Sequence, residues 1–267
     1  MISKRCLGVI VVYDLNRATC ALKKFRELIA VSFEEFSIIV VTNNPDVDGD
    51  IRGSNICAEF SGWAEGLSNC DYETYDVVIL ANDTIGRTQF GYKEKRIFLT
   101  KVSQALDKKR LFLVGGMHWH INYSLLSRKK RFLLKWVRTN LFAISPEALT
   151  EIGGISLTEK DISTMLGADQ NGNFVLYNSL PEVVRWRVQD WLNPSSPELG
   201  WHSAFQVSKS NKRLKAKCVL QELDLTRRCH TAVVSIYSTA TVRKRDYILS
   251  LIYFFQERFP NYLKLYK

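Results

Sequence analysis

The sequence lacks the pairings through which cysteine and histidine usually announce a role. Its six cysteines (Cys6, Cys20, Cys57, Cys70, Cys218 and Cys229) form no C-x-x-C pair, and none of its four histidines stands at zinc-ligand spacing from them. That excludes a structural zinc site of the ordinary kind. Most of the cysteines lie in apolar surroundings, where a free thiol packs as a small hydrophobe. The pattern argues against a disulfide framework and for a reducing cytoplasm. Long apolar runs are missing too. The longest, residues 247–255, is broken by Ser250 and falls well short of the roughly 20 residues a spanning helix needs. The first residues, Met1-Ile2-Ser3-Lys4-Arg5, run straight into a strand-like segment and show no signal-peptide pattern. There is no internal repeat and no low-complexity tract.

What is present is a chain of 267 residues, 46% hydrophobic, with a formal net charge of +10. The apolar content suffices for a sizeable core. The charge favours an anionic partner: a nucleoside diphosphate, a nucleic acid or an anionic membrane surface.

Residues 7–13 form a continuous β-branched run, as expected of a parallel strand covered on both faces. Residues 18–30 follow with Leu22, Phe25, Leu28 and Ile29 on one side and Lys23, Lys24 and Arg26 on the other, the pattern of an amphipathic helix. Strands are expected at 37–42, 75–81, 110–114 and 139–144, and a helix at 94–108. Pro146 opens a helix that Gly153-Gly154 ends. This β-α-β-α-β alternation predicts an α/β fold with a mixed, mostly parallel sheet flanked by helices. The second half reads as less regular. It has a turn at 169–173, a helix at 181–192 in which Trp186 and Trp191 are packing residues, and a basic stretch at 209–217. A terminal helix at 243–259 is expected to be basic first and apolar almost all round afterwards.

Three of the early strands end in short polar side chains. Tyr13-Asp14 follows the first, Asn43-Asn44 the second and Asn82-Asp83 the third. In open α/β sheets, ligands bind outside the carboxyl ends of the strands. Tyr13 is suited to stack on a base, and Asp14, Asn43 or Asn44 to read base or ribose edges. Asp83 is suited to hold a divalent cation, Mn2+ or Mg2+, that bridges two phosphates. Gly53 and Gly62 allow close backbone approach to a ligand. His118 and His120 flank Trp119 just after a strand and two glycines, where they can contact donor phosphates or act as a base. Each tip also has a local reading. Asp14 can cap a helix, Asn43-Asn44-Pro45 can form an ordinary turn, and Asp83 can close the turn before Gly86.

The succession of strand, helix, strand, Asn43-Asn44-Pro45, Gly53-Ser54-Asn55 and a strand ending Asn82-Asp83-Thr84 resembles the N-terminal half of a family 2-type glycosyltransferase of GT-A fold. Residues 137–145, followed by Ile152-Gly153-Gly154, are similar to that family's acceptor-side strand and helix. Residues 59–66 together with 81–84 resemble small bacterial enzymes that build O-antigen or capsular glycans. The resemblance covers roughly residues 5–155. It implies a GT-A-like (Rossmann-like) fold and transfer of a sugar from a nucleotide-diphosphate donor, a UDP-sugar first, to a lipid-linked glycan acceptor. Asn55 joins the donor residues on this ground. The D-x-D motif of such enzymes is reduced here to one carboxylate, Asp83, which leaves metal dependence open. Their general base usually lies in a Glu-Asp pair soon after the Gly-Gly. The candidates in this chain are Glu159, Asp161, Glu222 and Asp224.

The loop at 193–197 offers the best boundary between residues 1–192, which bind donor and acceptor, and a basic, mainly helical extension at 193–267. The basic start and apolar remainder of the terminal stretch suit an interfacial helix on an anionic membrane surface. The expected location is therefore cytoplasmic, peripheral on the inner face of the cell membrane. Two rivals remain: an inactive transferase-like scaffold, and a non-catalytic nucleic-acid module favoured by charge and interleaved tryptophans. The latter leaves the three polar strand ends unexplained, so nucleic acid is not the expected partner.

Overall fold

A computed structural model describes residues 2–86, 92–108, 111–121, 133–194, 201 and 204–239. The expected terminal helix at 243–259, with its basic start, lies outside the described residues.

The chain opens with β1 (Ile2–Val12), α1 (Leu15–Ala30) and β2 (Phe33–Thr42). α1 starts three residues before the amphipathic pattern does, because Asp14 caps it and accepts the Asn16 N–H at 3.0 Å. Its buried positions, Ala18, Ala21, Phe25, Leu28 and Ile29, keep helical spacing. A short β3 (Ile51–Arg52) and α2 (Glu59–Ser68) come next. Then follow β4 (Val77–Asn82), a 3-10 turn (Asp83–Gly86) and α3 (Tyr92–Asp107). β5 (Phe112–Ile121) and β6 (Leu133–Ile144) are both longer than the apolar pattern alone suggests.

In the second half, α4 (Pro146–Glu151) is capped by Ser145 and ends at Gly153 and Gly154, both at positive φ. α5 (Glu159–Ser163) precedes a two-stranded ribbon of β7 (Leu166–Ala168) and β8 (Phe174–Leu176). α6 (Glu182–Leu192) leads to α7 (Lys209–Thr231) and β9 (Ser235–Ser238). α7 is a 23-residue helix that spans the basic stretch at 209–217 and runs on to Thr231, within the extension expected to be mainly helical. Within α6, Trp186 is 48% exposed and is not a packing residue.

The main sheet has seven strands in the order β3-β2-β1-β4-β6-β5-β9. β6 runs antiparallel to both neighbours, and the other strands are mutually parallel. This mixed, mostly parallel sheet flanked by helices is compatible with a Rossmann-like fold. α1 and α3 cover one face. α2, α4 and α7 pack on the other, with β9 joining the far edge of the same sheet. Residues 209–238 therefore join the core and sheet built by the first half of the chain. Among the described residues no helix is long and apolar enough to cross a membrane.

α2 lies unusually close to the sheet. A Cβ on Gly66 would come within 2.6 Å of Val9, and one on Gly62 within 2.8 Å of Val11. The close approach at Gly62 is thus to β1 rather than to a ligand. It lets Trp63, fully buried, meet Phe60 and Phe142 edge-on at centroid distances of 5.1 and 5.3 Å. The indole N–H donates to Ala81 O at 2.8 Å. For Gly66→Ala, helix propensity favours the variant by about 1 kcal/mol, but overpacking in a filled core costs about 1–3 kcal/mol. Overpacking should win, because the clashing partner is itself fully buried. Urea unfolding should show a net loss of up to about 2 kcal/mol, and a stabilised variant would refute the close-packing account.

Candidate functional site

Strand register decides whether the three polar tips meet. Val12 of β1 pairs with Thr42 of β2, and Val11 with Asn82 of β4. Tyr13-Asp14, Asn43-Asn44 and Asn82-Asp83 therefore emerge level on one edge. They flank the point between β1 and β4 where the strand order reverses, the usual crevice for ligands in such sheets.

Most of these side chains also hold the edge together. Asp83 is 8% exposed, and its Oδ2 accepts the Tyr13 and Asp14 N–H groups at 2.9 and 2.7 Å. Its other oxygen faces the Arg17 guanidinium at 4.0 Å. Asp14 spends one oxygen on its cap and the other on Arg17, at 2.8 Å. Asn44 donates to Tyr13 O at 2.7 Å and accepts from Asp46 N–H at 3.0 Å. Asn43 donates to Asn55 Oδ1 at 3.2 Å and Ala58 O at 3.3 Å, while its own Oδ1 is buried with no hydrogen-bond partner. That oxygen occupies the space a side chain at Gly53 would need, 2.1 Å from the Cβ position. Asn55 sits at positive φ, 56°. Tyr13 remains 58% exposed, with ring surface available for stacking. His118 and His120 are not in a loop beyond a strand. Their backbones belong to β5 and pair with Trp136 and Leu134.

A divalent cation coordinates several hard oxygens. At this edge one motif carboxylate is present, and two main-chain N–H donors and a guanidinium already engage it. Among the described residues no group of three His, Cys, Asp or Glu could hold a metal ion. The donor set does not fit a resident divalent cation.

A second cluster adjoins Asn82 on the α2 face. Asn82 Nδ2 donates to Glu59 Oε1 at 3.3 Å, and the Cys218 thiol donates to the same oxygen at 3.1 Å. Lys215 Nζ lies 3.8 Å from Cys218 Sγ and 5.9 Å from the centre of the Trp191 ring. Lys215, Cys218 and Glu222 share one face of α7 at helical spacing. β6 runs past the end of β4, so its Val137 and Thr139 N–H groups have no strand partner there. α7 supplies Thr226 Oγ1 for the first at 3.0 Å and Glu222 Oε1 for the second at 2.9 Å.

The charges in this cluster perturb one another. Burial pushes the Glu222 carboxyl up to about 7, with Glu59 adding to the effect, while Lys215 and the Thr139 hydrogen bonds oppose it. Burial likewise drives the Cys218 thiol well above its ordinary range, so it is a neutral donor. The Cys218 sulfur, then the Glu59 and Glu222 carboxylates, hold the Lys215 ammonium above its usual range despite burial. Beside Glu222 opens a cavity of about 140 Å³, walled by Trp136 and Arg138 of β6, Val188 and Trp191 of α6, and Val219 and Leu223 of α7.

The other carboxylates considered as a base have local work. Asp161 forms a capping box with Thr158 on α5, and the Thr158 hydrogen bonds hold its carboxyl below the usual range. Glu159 pairs with Lys217 at 3.2 Å and is largely exposed. Asp224 pairs with Arg227 and Arg228 at 2.6 and 2.8 Å. Arg228 in turn donates to the carbonyls of Ile152, Gly154 and Ile155 and fixes the end of α4.

Sequence reasoning missed Glu59, Thr139, Lys215 and Cys218. The spacing Lys215-x-x-Cys218-x-x-x-Glu222 is the signal that would have found two of them, had residues 209–231 been read as one helix.

The Asp83 carboxylate accepts two main-chain hydrogen bonds, each worth about 1.5–3 kcal/mol to a charged acceptor. Asp83→Ala should therefore lose about 3–6 kcal/mol in urea unfolding, and Asp83→Asn, which keeps one acceptor oxygen, distinctly less. An Asp83→Ala protein of wild-type stability would refute the clasp. No protein-family model matches this chain, and no curated protein matches it either.

Proposed function

We propose that this protein is a GT-A-type glycosyltransferase. It moves a sugar from a nucleoside-diphosphate donor, a UDP-sugar first, to a hydroxyl of a growing, lipid-linked bacterial surface glycan such as O-antigen or capsule. One observation carries the reading. Three polar strand ends stand level at the switch point of a doubly wound sheet, and hydrogen bonds link the third, through Glu59, to the cluster around a carboxyl with a pKa of about 7. The order of the strands, with β6 alone reversed, suits that fold class. The bacterial glycan rests on the sequence resemblance, and the work at the cytoplasmic face of the membrane on the unpaired cysteines and the basic-then-apolar terminal stretch.

In this scheme residues 1–192 hold the donor and residues 193–267 bring the base. Tyr13 stacks on the nucleobase, and Asn82 lies at the donor sugar. Glu222 takes the proton of the acceptor hydroxyl. The hydroxyl oxygen forms the new bond to the anomeric carbon, and the bond from that carbon to the β-phosphate oxygen breaks. The electron pair leaves on the nucleoside diphosphate. A carboxyl that ionises near neutral pH is well matched to this task, and the Thr139 N–H and hydroxyl fix its orientation.

Calorimetry with UDP, GDP, dTDP and CMP nucleotides should detect binding of at least one; binding of none overturns the reading. Glu222→Gln should cut kcat about 10²–10⁴-fold and leave nucleotide affinity intact. Wild-type kcat/KM should rise with pH through about 7.

The same group makes a stability prediction of defined sign. Its carboxyl is raised on folding, so the folded state holds the extra proton. The associated stability is complete below the ordinary glutamate range and is lost as pH rises through about 7. At pH 8, Glu222→Gln should therefore be more stable than wild type, by on the order of 1–3 kcal/mol. A variant equally stable at acid and alkaline pH relative to wild type would contradict the assignment.

A further inference from the structure

Asn82 and Glu222 stand at the two ends of one run of polar contacts, and the residues between them have no task so far. Asn82 Oδ1 accepts the Thr84 N–H at 3.1 Å and also the Thr84 hydroxyl. Those two bonds fix which way the amide is turned, and its Nδ2 reaches Glu59 Oε1 at 3.3 Å. An amide nitrogen carries two N–H donors. Glu59 takes one, and among the described residues nothing engages the other.

The same Glu59 oxygen faces α7. It accepts the Cys218 thiol at 3.1 Å, and Lys215 Nζ lies 3.8 Å from the Cys218 sulfur. Cys218 stands between Lys215 and Glu222 on one face of the helix. A single ammonium is thus set among two carboxyls, Glu59 of α2 and Glu222 of α7. The other groups around Glu222 do not replace it. From α7 comes the neutral Cys218 thiol. From β6 come the Thr139 hydrogen bonds and, across the cavity, Arg138. α6 adds only Val188 and Trp191 to that cavity. Ions withdrawn from water need a close partner of opposite sign, so the two carboxyls compete for Lys215 and titrate as a coupled pair.

We propose that Lys215 and Glu59 are positioning residues for the transfer: Lys215 is the shared counter-charge that lets Glu222 ionise, and Glu59 both competes for that charge and orients the Asn82 amide for the donor. The part in transfer rests on the transferase reading; the shared ammonium does not.

The test reads the Glu222 carboxyl directly, in the intact chain labelled with 13C at the glutamate carboxyls. Its NMR signal is identified by its loss in Glu222→Gln. Lys215→Met removes the charge that favours the carboxylate, so the titration midpoint should rise by about one pH unit or more, and Lys215→Arg should bring it most of the way back. Glu59→Gln keeps the acceptor oxygen for Asn82 and Cys218 but ends the competition, so the midpoint should fall by about half a unit or more. Side chains that only filled space would give no such pair of opposite shifts. Shifts of one sign, or none in the folded variants, overturn the shared ammonium. If Lys215→Met does not fold, the nearly isosteric Glu59→Gln decides alone.

Calorimetry with UDP, GDP, dTDP and CMP reads the donor side. For the nucleotide that binds wild type, Glu59→Ala should weaken affinity about fivefold, the worth of one hydrogen bond, and Glu59→Gln should recover most of it. Equal affinity in wild type and a folded Glu59→Ala protein overturns the orienting role of Glu59. Wild type that binds no nucleotide removes the transferase reading and the positioning role with it, while the carboxyl titration still decides whether Glu59 and Glu222 share Lys215.

Discussion

The contact on which the rest depends is the close seating of α2 on β1 and β2. Two glycines one turn apart, Gly62 and Gly66, leave room for Val11 and Val9 where any other residue would hold the helix off. The consequences reach in three directions. Trp63 drops deep enough to donate to Ala81 O near the end of β4. Glu65 reaches the 53–55 loop, where it accepts from Ser54 N–H at 3.0 Å and from its hydroxyl. Glu59, at the first helical position, comes within hydrogen-bonding distance of Asn82. Lift α2 by the thickness of a methyl group and the donor edge loses its link to the cluster on α7.

Two carboxylates at this end of the sheet meet opposite environments. Asp83 is held by main-chain N–H donors and lies beside a guanidinium, so it fastens β1 to β4 across the switch point. Glu222 is opposed by burial and by Glu59, and favoured by Lys215 and Thr139, with burial the larger influence. A carboxyl so poised changes charge near neutral pH, whereas one locked by fixed donors is better suited to architecture. This contrast is why the proposed proton acceptor lies on α7, while the residue with the most motif-like position serves to hold two strands.

α7 closes the system because β6 outruns its neighbour. Strand ends with unpaired N–H groups need acceptors, and Thr226 and Glu222, one turn apart, provide them. The side chain that satisfies an orphan amide is thus also the one presented to the cavity. Substitutions at Glu222 are for that reason best made with glutamine, which retains the acceptor oxygen for Thr139.

The mostly parallel core, the helix at 18–30, the Pro146 start and Gly-Gly stop of α4, and the three polar strand ends were all legible from the chain. Each depends on side-chain period or on residues within one turn of each other, and such local rules act the same in any surroundings. The register that levels Asn82 with Val11 was implied by the alternation of elements but fixed only by pairing. Beyond that the sequence is mute. The bond between Glu59 and Cys218 spans 159 positions, and that between Thr139 and Glu222 spans 83. No period connects such pairs, and four acidic residues looked equivalent as a base until their partners were known. By itself the sequence determined the sheet, its caps and its polar edge. Only the tertiary structure decided which carboxyl is stripped of water, because desolvation depends on what the whole chain packs around a group and not on its neighbours along the backbone.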